Sequence, residues 1–414
     1  MDLVSFGKED NMPALAISEN ILSLSVQHPD RKMFDCLMPT PYGTSYNSYL
    51  VSGTKKTALI DTVDPDFFEV FLRKLKNLEI KKIDYIVLLH TEQDHSGSVV
   101  QLLKYFPDAV LVATSNVIKL MKTHLHIPPE QFTVVEEADV LDLGEHSLEF
   151  HKIPFAHWPD NTMAYEKKSG ILFSSDLFGS HYASDRVFAT DSHEIKDAAR
   201  AYYAEIMMPF SPQVRKYTEM VASMAPAMIA SAHGPVWNDP SLILKKYLKW
   251  TGVQVNKTVV IPYVSMHGST NVIMERLTWR LARRGVSVLC RNLGADPESL
   301  VVQTGHVLND LVTAAAVVFA ITTVLGGPHP AGAYCAMVVN ALRPQTRFIG
   351  LVGSYGWGTK IEESFVSLTS GMKKTHRLET LLFEGLPTAA DLIKVDEYAD
   401  SLADKILALG EDLL

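Results

Sequence analysis

The chain has 414 residues, of which 47% are hydrophobic and 21% are charged, and its formal net charge is −9 at pH 7. A chain of this length is too long for a single ordinary hydrophobic core, which predicts at least two domains. The composition excludes a disordered or fibrous chain. The acidic balance argues against nucleic acid or an anionic membrane as partner, because both attract basic surfaces.

The cysteines and the apolar runs indicate the compartment. Cys36, Cys290 and Cys335 lie far apart and form no CxxC pair, which is typical of a reduced intracellular protein and excludes a Cys₄ iron or zinc module. No run of ~20 apolar residues occurs, and the N-terminus lacks the basic and apolar regions of a signal peptide. We therefore expect a cytoplasmic protein without a membrane span.

The first half of the chain alternates short apolar runs with helical patterns, and its loops are rich in Pro, Asp and His. Such alternation predicts a layered α/β domain. The predicted strands are Ile21–Val26, Tyr46–Val51, Ala58–Asp61, Tyr85–Leu89, Val110–Ala113, Leu148–Ile153, Met163–Tyr165 and Gly170–Phe173. The predicted helices are Phe67–Leu78, Ser98–Tyr105, Val117–His124, Ile195–Met207, Gln213–Met224 and Ser241–Trp250.

A motif rich in histidine and carboxylate, His-Thr-Glu-Gln-Asp-His at residues 90–95, follows a predicted buried strand and precedes a helix. Alternate residues of an extended segment point the same way, so His90 and Glu92 can bind one ion while Asp94 and His95 face a second. Further candidates lie beside turns at the ends of apolar runs, where binding sites are commonly built. They are His157, Asp176 and His233. Because unpaired buried charges are costly, the whole set favours metal ligation over isolated core residues.

The donor set is large enough for two metal ions. Four histidines and three carboxylates provide ligands for both ions, with one carboxylate left to bridge them. Three carboxylates and one hydroxide would nearly neutralise two divalent ions, which suits a partly buried site. Imidazole and carboxylate without thiolate suit iron, manganese or zinc. The carboxylate-rich balance favours a redox diiron pair, and we expect no catalytic residues beyond these ligands.

The polar stretch Thr251–Lys257 separates a domain of residues 1–252 from a domain of residues 253–414. Beyond it, five βα units predict a doubly wound parallel sheet of flavodoxin type. The predicted strands are Thr258–Val264, Val286–Arg291, Ala315–Ile321, Phe348–Val352 and Arg377–Phe383. The predicted helices are Asn271–Arg284, Pro297–Leu311, Gly332–Leu342, Ile361–Met372 and Ala389–Leu409.

Three loops after these strands predict a mononucleotide site, because ligands bind at the carboxyl edge of a doubly wound sheet. The first loop leads into a helix N-terminus, whose N–H groups and dipole favour a phosphate. It lacks the lysine of a Walker A motif and the spacing of a dinucleotide GxGxxG, which favours FMN. Aromatic residues in the third loop can cover a flat ring. The candidate FMN residues are Ser265, Met266, His267, Gly268, Ser269, Thr270, Thr322, Thr323, Val324, Leu325, Gly326, Gly327, Ser354, Tyr355, Gly356, Trp357 and Gly358.

In these motifs the chain resembles the flavodiiron proteins, also called A-type flavoproteins, over nearly its whole length. The resemblance implies an α/β protein with an N-terminal metallo-β-lactamase-like αββα domain and a flavodoxin-like FMN domain. Zinc hydrolases of the first fold commonly carry H-x-H-x-D-H, and Glu92 in place of the middle histidine is characteristic of the diiron members. The resemblance implies one iron on His90, Glu92 and His157, a second on Asp94, His95 and His233, and a bridge by Asp176.

The resemblance also implies a function: reduction of O₂ to water, of NO to N₂O, or both, at two non-haem irons per chain that FMN supplies with electrons. The chain ends soon after its last predicted helix, so we expect the class without a fused rubredoxin. A separate donor would then be needed, such as rubredoxin, a flavin reductase or a reduced deazaflavin. A head-to-tail homodimer, or a dimer of dimers, would set the FMN of one chain against the irons of another.

Two alternatives remain open on the sequence. The first is a binuclear zinc hydrolase with a regulatory flavin domain, which would contain zinc and no iron. The second is a non-catalytic electron carrier or redox sensor, whose flavin would be reduced without consumption of O₂ or NO. The first candidate FMN loop, residues 265–270, also differs from the usual phosphate-binding loop of flavodoxins in having Met266, His267 and Ser269.

Overall fold

The computed structural model describes residues 13–294 and 300–410, which form two compact units. The first unit comprises the chain up to Phe34 together with Thr40–Tyr202 and Phe210–Thr251. The second comprises Asp35–Pro39, Tyr203–Pro209 and the chain from Gly252 onward. Two short segments that precede Thr251 in the sequence therefore belong to the second unit.

Up to residue 251 the described chain begins with eight strands and then mixes helices with further strands. The strands are β1 (Leu15–Ser18), β2 (Ile21–Ser23), β3 (Val26–His28), β4 (Met33–Phe34), β5 (Met38–Pro39), β6 (Thr44–Tyr46), β7 (Tyr49–Ser52), β8 (Thr57–Ile60), β9 (Tyr85–Leu88), β10 (Val110–Ala113), β11 (Phe132–Val134), β12 (Val140–Asp142), β13 (Ser147–Lys152), β14 (Thr162–Glu166), β15 (Ile171–Phe173) and β16 (Met228–Ala230). The helices are α1 (Phe68–Asn77), α2 (Gln93–Ser96), α3 (Val99–Tyr105), α4 (Ser115–His124), α5 (His193–Tyr202), α6 (Ser211–Met224) and α7 (Ser241–Trp250).

Two sheets form the core of the first unit. One has the order β1-β2-β7-β8-β9-β10-β11 and the other the order β12-β13-β14-β15-β16. Val87 and Val112 of the first sheet pack in the same buried cluster as Phe150 and Phe173 of the second. Alternation of side chains across each strand supplies the apolar face that the sandwich buries. The layered α/β prediction for this half is therefore confirmed.

Three predicted elements are divided in the structure. The segments 21–26 and 46–51 each contain a break, because β2 pairs with β7 whereas β3 pairs with β6. The chain turns between the two pairings, where the hydroxyl of Ser25 donates to the side chain of Asn47. The predicted helix Ile195–Met207 is an α-helix only to Tyr202 and continues as a π-helical turn over Tyr203–Met207.

The second unit contains a parallel sheet with the order β18-β17-β19-β21, and both β22 and β23 pair with β21. Its strands are β17 (Asn256–Val264), β18 (Ser287–Asn292), β19 (Ala314–Val324), β20 (Gly327–Pro328), β21 (Phe348–Tyr355), β22 (His376–Arg377) and β23 (Leu381–Glu384). Its helices are α8 (Ser269–Arg283), α9 (Leu300–Leu311), α10 (Pro330–Leu342), α11 (Ile361–Leu368) and α12 (Ala389–Leu407). This is the 2-1-3-4-5 order of a flavodoxin-like sheet, whose crossover lies between β17 and β19.

Several predicted bounds in this half were wrong. The strand predicted over 377–383 is interrupted at residues 378–380, because β22 pairs with the start of β21 and β23 with its end. Residues 322–324 extend β19 rather than forming a loop, since β20 folds back on them as a hairpin. Ser354 and Tyr355 lie in β21, where β23 pairs with them. Residues 297–299 of the helix predicted over 297–311 lie outside the described residues.

The helices that the structure describes, over 13–294 and 300–410, include none that is both long and apolar enough to cross a membrane.

Candidate metal centre and flavin site

Four separate loops bring the predicted metal ligands of the first unit together. The first loop follows β9, and it carries four of the ligands within residues 90–95, the last two on the short helix α2. The other ligands lie between β13 and β14, after β15 and after β16, and are His157, Asp176 and His233. Loops at the strand ends of both sheets of the first unit thus bring the predicted metal ligands into one cluster.

The first group of donors consists of His90, Glu92, His157 and Asp176, whose ligand atoms all lie within 4.8 Å of one another. Nε2 of His90 is 3.3 Å from Oε2 of Glu92 and 3.4 Å from Oδ2 of Asp176. Nε2 of His157 is 3.2 Å from the same Glu92 oxygen and 3.6 Å from the same Asp176 oxygen. Two imidazoles and two carboxylates therefore surround one point.

The second group consists of Asp94, His95 and His233, again within 4.8 Å of one another. Oδ2 of Asp94 is 3.4 Å from Nε2 of His95 and 3.2 Å from Nε2 of His233. Oδ1 of Asp176 lies 3.2 Å and 3.7 Å from these two nitrogens. The two oxygens of Asp176 thus face different groups, which is the geometry of a bridging carboxylate.

The buried ligand atoms and the concentration of carboxylates in this cluster are typical of a site that binds cations. Among the described residues, both carboxylate oxygens of Asp94 and both ring nitrogens of His95 are buried without a hydrogen-bond partner. Burial lowers the pKa of His95, but Asp94 and Asp176 outweigh it and raise that pKa to about 10. Burial raises the pKa of Asp176, but His95 and His90 outweigh it and hold that pKa well below its ordinary value. Unpartnered buried acceptors are costly, and a cation would satisfy them.

The loop of residues 90–95, called the metal loop below, is held in place by residues that the sequence pattern did not single out. The carboxylate of Asp61, after β8, accepts the N–H of Leu89 at 2.8 Å, and burial raises the pKa of Asp61 to about 7. The N–H and the hydroxyl of Thr62 both donate to the carbonyl of His95 at 2.7 Å. Both ends of the metal loop are therefore fixed to the end of β8.

Other buried polar residues contact the ligands themselves. The hydroxyl of Tyr202 donates to Oδ1 of Asp176 at 3.2 Å, and Nδ2 of Asn161 donates to Oδ2 at 3.2 Å. Nδ1 of His181 lies 2.9 Å from the hydroxyl of Thr44, and its ring centroid lies 4.9 Å from that of His233. No periodicity in the sequence marks these residues, although Asn161 lies four positions after His157 and His181 lies five positions after Asp176.

In the second unit, the structure brings the three candidate FMN loops to one edge of the sheet. The hydroxyls of Thr270 and Ser354 lie 3.0 Å apart and connect the first loop with the third. The N–H of Lys360 donates to the carbonyl of Gly326 at 2.6 Å and connects the third with the second. Within the first loop, the hydroxyl of Ser265 accepts the N–H of Gly268 at 3.2 Å.

The surface of this edge fits a flat ring with a phosphate. Gly268, at φ +91°, precedes helix α8, and a Cβ there would meet no described atom within 4 Å. The side chains of Leu325 and Trp357 are 98% and 91% exposed, so apolar surface is available for a ring. The oxygen of the Asn271 side chain is buried without a partner among the described residues. The chemistry of the edge therefore matches the predicted ligand.

Comparison with known proteins agrees with both units. Residues 44–234 match the family described as ODP family beta lactamase. The chain is 34% identical over 324 residues to the anaerobic nitric oxide reductase flavorubredoxin of Escherichia coli, which covers 76% of this chain and 66% of that relative. The chain thus spans 66% of the length of this curated relative.

Solved structures extend the likeness to nearly the whole chain. Rubredoxin oxygen:oxidoreductase of Desulfovibrio gigas superposes with a TM-score of 0.90 at 27% identity, covering 95% of this chain and 99% of that one. The flavodiiron protein of Giardia intestinalis has a TM-score of 0.88 at 24% identity, covering 96% and 97%, which supports the fold. The two-unit fold is therefore a metallo-β-lactamase-like domain followed by a flavodoxin-like domain, and the names of the relatives agree with flavin and iron as cofactors. The chain belongs to the flavodiiron proteins, the A-type flavoproteins.

Proposed function

We propose that this chain is an FMN- and diiron-dependent oxidoreductase that reduces O₂ to water. The observation that carries the proposal is the orientation of Asp176, whose two carboxylate oxygens face two separate groups of metal donors. One iron would be held by His90, Glu92 and His157, the other by Asp94, His95 and His233, with Asp176 bridging.

The flavin would be FMN, held at the carboxyl edge of the second unit. The loop before α8 would bind its phosphate, and the loops after β19 and β21 would contact its ring. When bound, reduced FMN would supply two electrons and the two ferrous ions two more, which is the number that one O₂ needs to form two waters.

Exposure of the ligands indicates where a substrate would approach. The side chains of Glu92 and His157 are 20% and 17% exposed, whereas the other ligands are at most 7% exposed. Trp158, which follows His157 in the chain, packs edge-to-face against the ring of His90, with the ring centroids 5.1 Å apart. Substrate would therefore enter beside Glu92 and His157.

Reduction of NO to N₂O is a second candidate. It is favoured by the 34% identity to a protein named as an anaerobic nitric oxide reductase. Coupling two NO molecules to N₂O needs two electrons, which the same cofactors would supply. The D. gigas neighbour, named as an oxygen oxidoreductase, favours O₂.

Metal analysis followed by turnover tests this proposal. Purified protein should contain iron and FMN. After chemical reduction without air, the protein should consume O₂, NO or both when each gas is added in a separate, parallel assay. Two zinc ions and no iron per chain would instead identify the zinc hydrolase. Flavin reduction without consumption of either gas would identify an electron carrier or sensor.

We further propose that the chain works as a head-to-tail homodimer or dimer of dimers with a separate electron donor. Rubredoxin, a flavin reductase and reduced deazaflavin are the donors to compare in the turnover assay. Light scattering during gel filtration measures the assembly, and a monomer with full turnover would contradict the dimer.

A further inference from the structure

The loop between β13 and β14 contains a buried carboxylate that the proposed chemistry does not use. Asp160 lies three residues after His157 and is 1% exposed. Its Oδ2 accepts the N–H of Thr91 at 2.9 Å and the hydroxyl of Thr91 at 2.7 Å. Nδ1 of His90 lies 3.1 Å from Oδ2 and 3.2 Å from Oδ1. One carboxylate therefore contacts both His90 and its neighbour.

This contact favours Nδ1 as the ring nitrogen of His90 that carries the proton. An ionised carboxylate can only accept hydrogen bonds, so a hydrogen bond between Asp160 and this ring requires a proton on Nδ1. In the neutral ring the opposite nitrogen, Nε2, then carries the lone pair that a metal ion would need, and it is Nε2 that faces Glu92 and Asp176 at 3.3 and 3.4 Å. A carboxylate behind a ligating histidine commonly fixes tautomer and ring orientation in metal sites.

The contact is specific to the first group of donors. Nδ1 of His233, in the second group, lies 2.7 Å from the backbone carbonyl of Ser45 instead. Nδ1 of His95 is buried without a hydrogen-bond partner among the described residues. Unlike His95 and His233, His90 therefore has its Nδ1 beside a fully buried carboxylate that is not itself a proposed ligand.

We propose that Asp160 is a positioning residue that holds His90 in the tautomer and orientation needed to bind the first of the two metal ions. The inference rests on the proposed metal centre. It predicts that loss of the Asp160 carboxylate weakens one ion selectively, whereas a general defect in the cluster would weaken both.

The substitution Asp160→Asn keeps the shape of the side chain and tests this directly. If the amide oxygen keeps the two hydrogen bonds from Thr91, the amide nitrogen takes the place of Oδ1, which lies 3.2 Å from Nδ1 of His90. A donor there favours the wrong tautomer, which places a proton on the metal-binding Nε2. We expect the first ion to bind about 10- to 100-fold more weakly, the usual effect of losing such a partner.

The assay is a titration of the metal-free full-length protein with Zn²⁺, followed by calorimetry and by elemental analysis after gel filtration. The wild type should bind two ions. Asp160→Asn should bind one ion with wild-type affinity and the other more weakly. Asp142→Asn is the matched control, because Asp142 is an exposed carboxylate of the same unit that pairs with Lys55 and contacts no proposed ligand. Two ions bound by Asp160→Asn with wild-type affinities would overturn the inference.

Two further results separate the inference from its premises. Circular dichroism of the metal-free variants reports folding; if Asp160→Asn does not fold, Thr91→Val decides, because it removes the hydroxyl bond to Asp160 and leaves every proposed ligand in place. Selective weakening of one ion in Thr91→Val would support the positioning role, and unchanged binding of both would overturn it. A wild type that binds no zinc would instead overturn the metal centre itself.

Discussion

Replacing Gly268 with alanine perturbs the phosphate end of the proposed FMN site and little else. Gly268 precedes helix α8 at φ +91°, where a residue with a side chain pays about 1–3 kcal/mol of backbone strain. The added Cβ would meet no described protein atom within 4 Å, so the substitution causes no clash in the protein. The methyl group would instead enter the open space above the loop, where the phosphate is proposed to bind.

The expected loss of FMN affinity follows from this geometry. A shift of the loop that removes one hydrogen bond to the charged phosphate costs about 1.5–3 kcal/mol. At about 1.4 kcal/mol per tenfold change, FMN should bind roughly 10- to 100-fold more weakly. The iron content should not change, because the proposed ligands belong to the other unit.

Gly285→Ala is the matched control. Gly285 follows the other end of α8, at φ +79°, and a Cβ there also meets no described atom within 4 Å. The two variants therefore carry comparable strain and should lose comparable thermal stability. Titration of the flavin-free proteins with FMN, followed by quenching of flavin fluorescence, compares their affinities. Equal FMN affinities in both variants, or loss of iron from Gly268→Ala, would refute the proposed position of the flavin site.

Three further predictions concern the bridge, the flavodoxin-like core and its surface. Asp176→Asn should retain fewer than two irons per chain, because it weakens the proposed bridge; normal iron content and turnover would contradict that role. Gly350→Ala should lose about 1–3 kcal/mol of stability to denaturant, since its Cβ would lie 2.1 Å from the hydroxyl of Tyr398. Tyr398→Phe should relieve this clash, because the ring carbon lies 3.5 Å away, and strictly additive effects would contradict the reasoning. The hydrogen bond with Arg280 lowers the pKa of Asp400 to about 2. The ionised Asp400 should therefore stabilise the fold above pH ~4 and lose that contribution as the pH falls toward 2. A difference in stability between wild type and Asp400→Asn that does not shrink over this interval would exclude this contribution.

Much of the proposed metal centre is visible in the sequence because its chemistry is concentrated at strand ends. His90, Glu92, Asp94 and His95 lie within six residues, and local geometry alone separates them into two pairs. His157, Asp176 and His233 lie beside turn residues at the ends of apolar runs. The structure brings all of them within the two donor groups.

Element bounds in the flavodoxin-like unit were less predictable, because pairing between distant strands decides them. The extension of β19 to Val324 depends on the hairpin with β20, and the break after Arg377 depends on how the edge strands share β21. The apolar pattern of these segments is the same whether or not a partner strand lies beside them. Hydrogen bonding across the sheet, rather than local preference, therefore sets where each strand ends.

The sequence by itself determined the fold class, and it predicted the two candidate cofactor-binding regions and the residue types of the proposed donors, because periodicity and motif spacing are local properties. Only the tertiary structure decided which carboxylate lies behind which histidine. Asp160 is 70 residues from His90, and Asp61 is 28 residues from Leu89. Contacts over such separations arise when sheets pack and buried polar groups must find partners, so the residues that hold the loop of residues 90–95 became visible only in the folded chain.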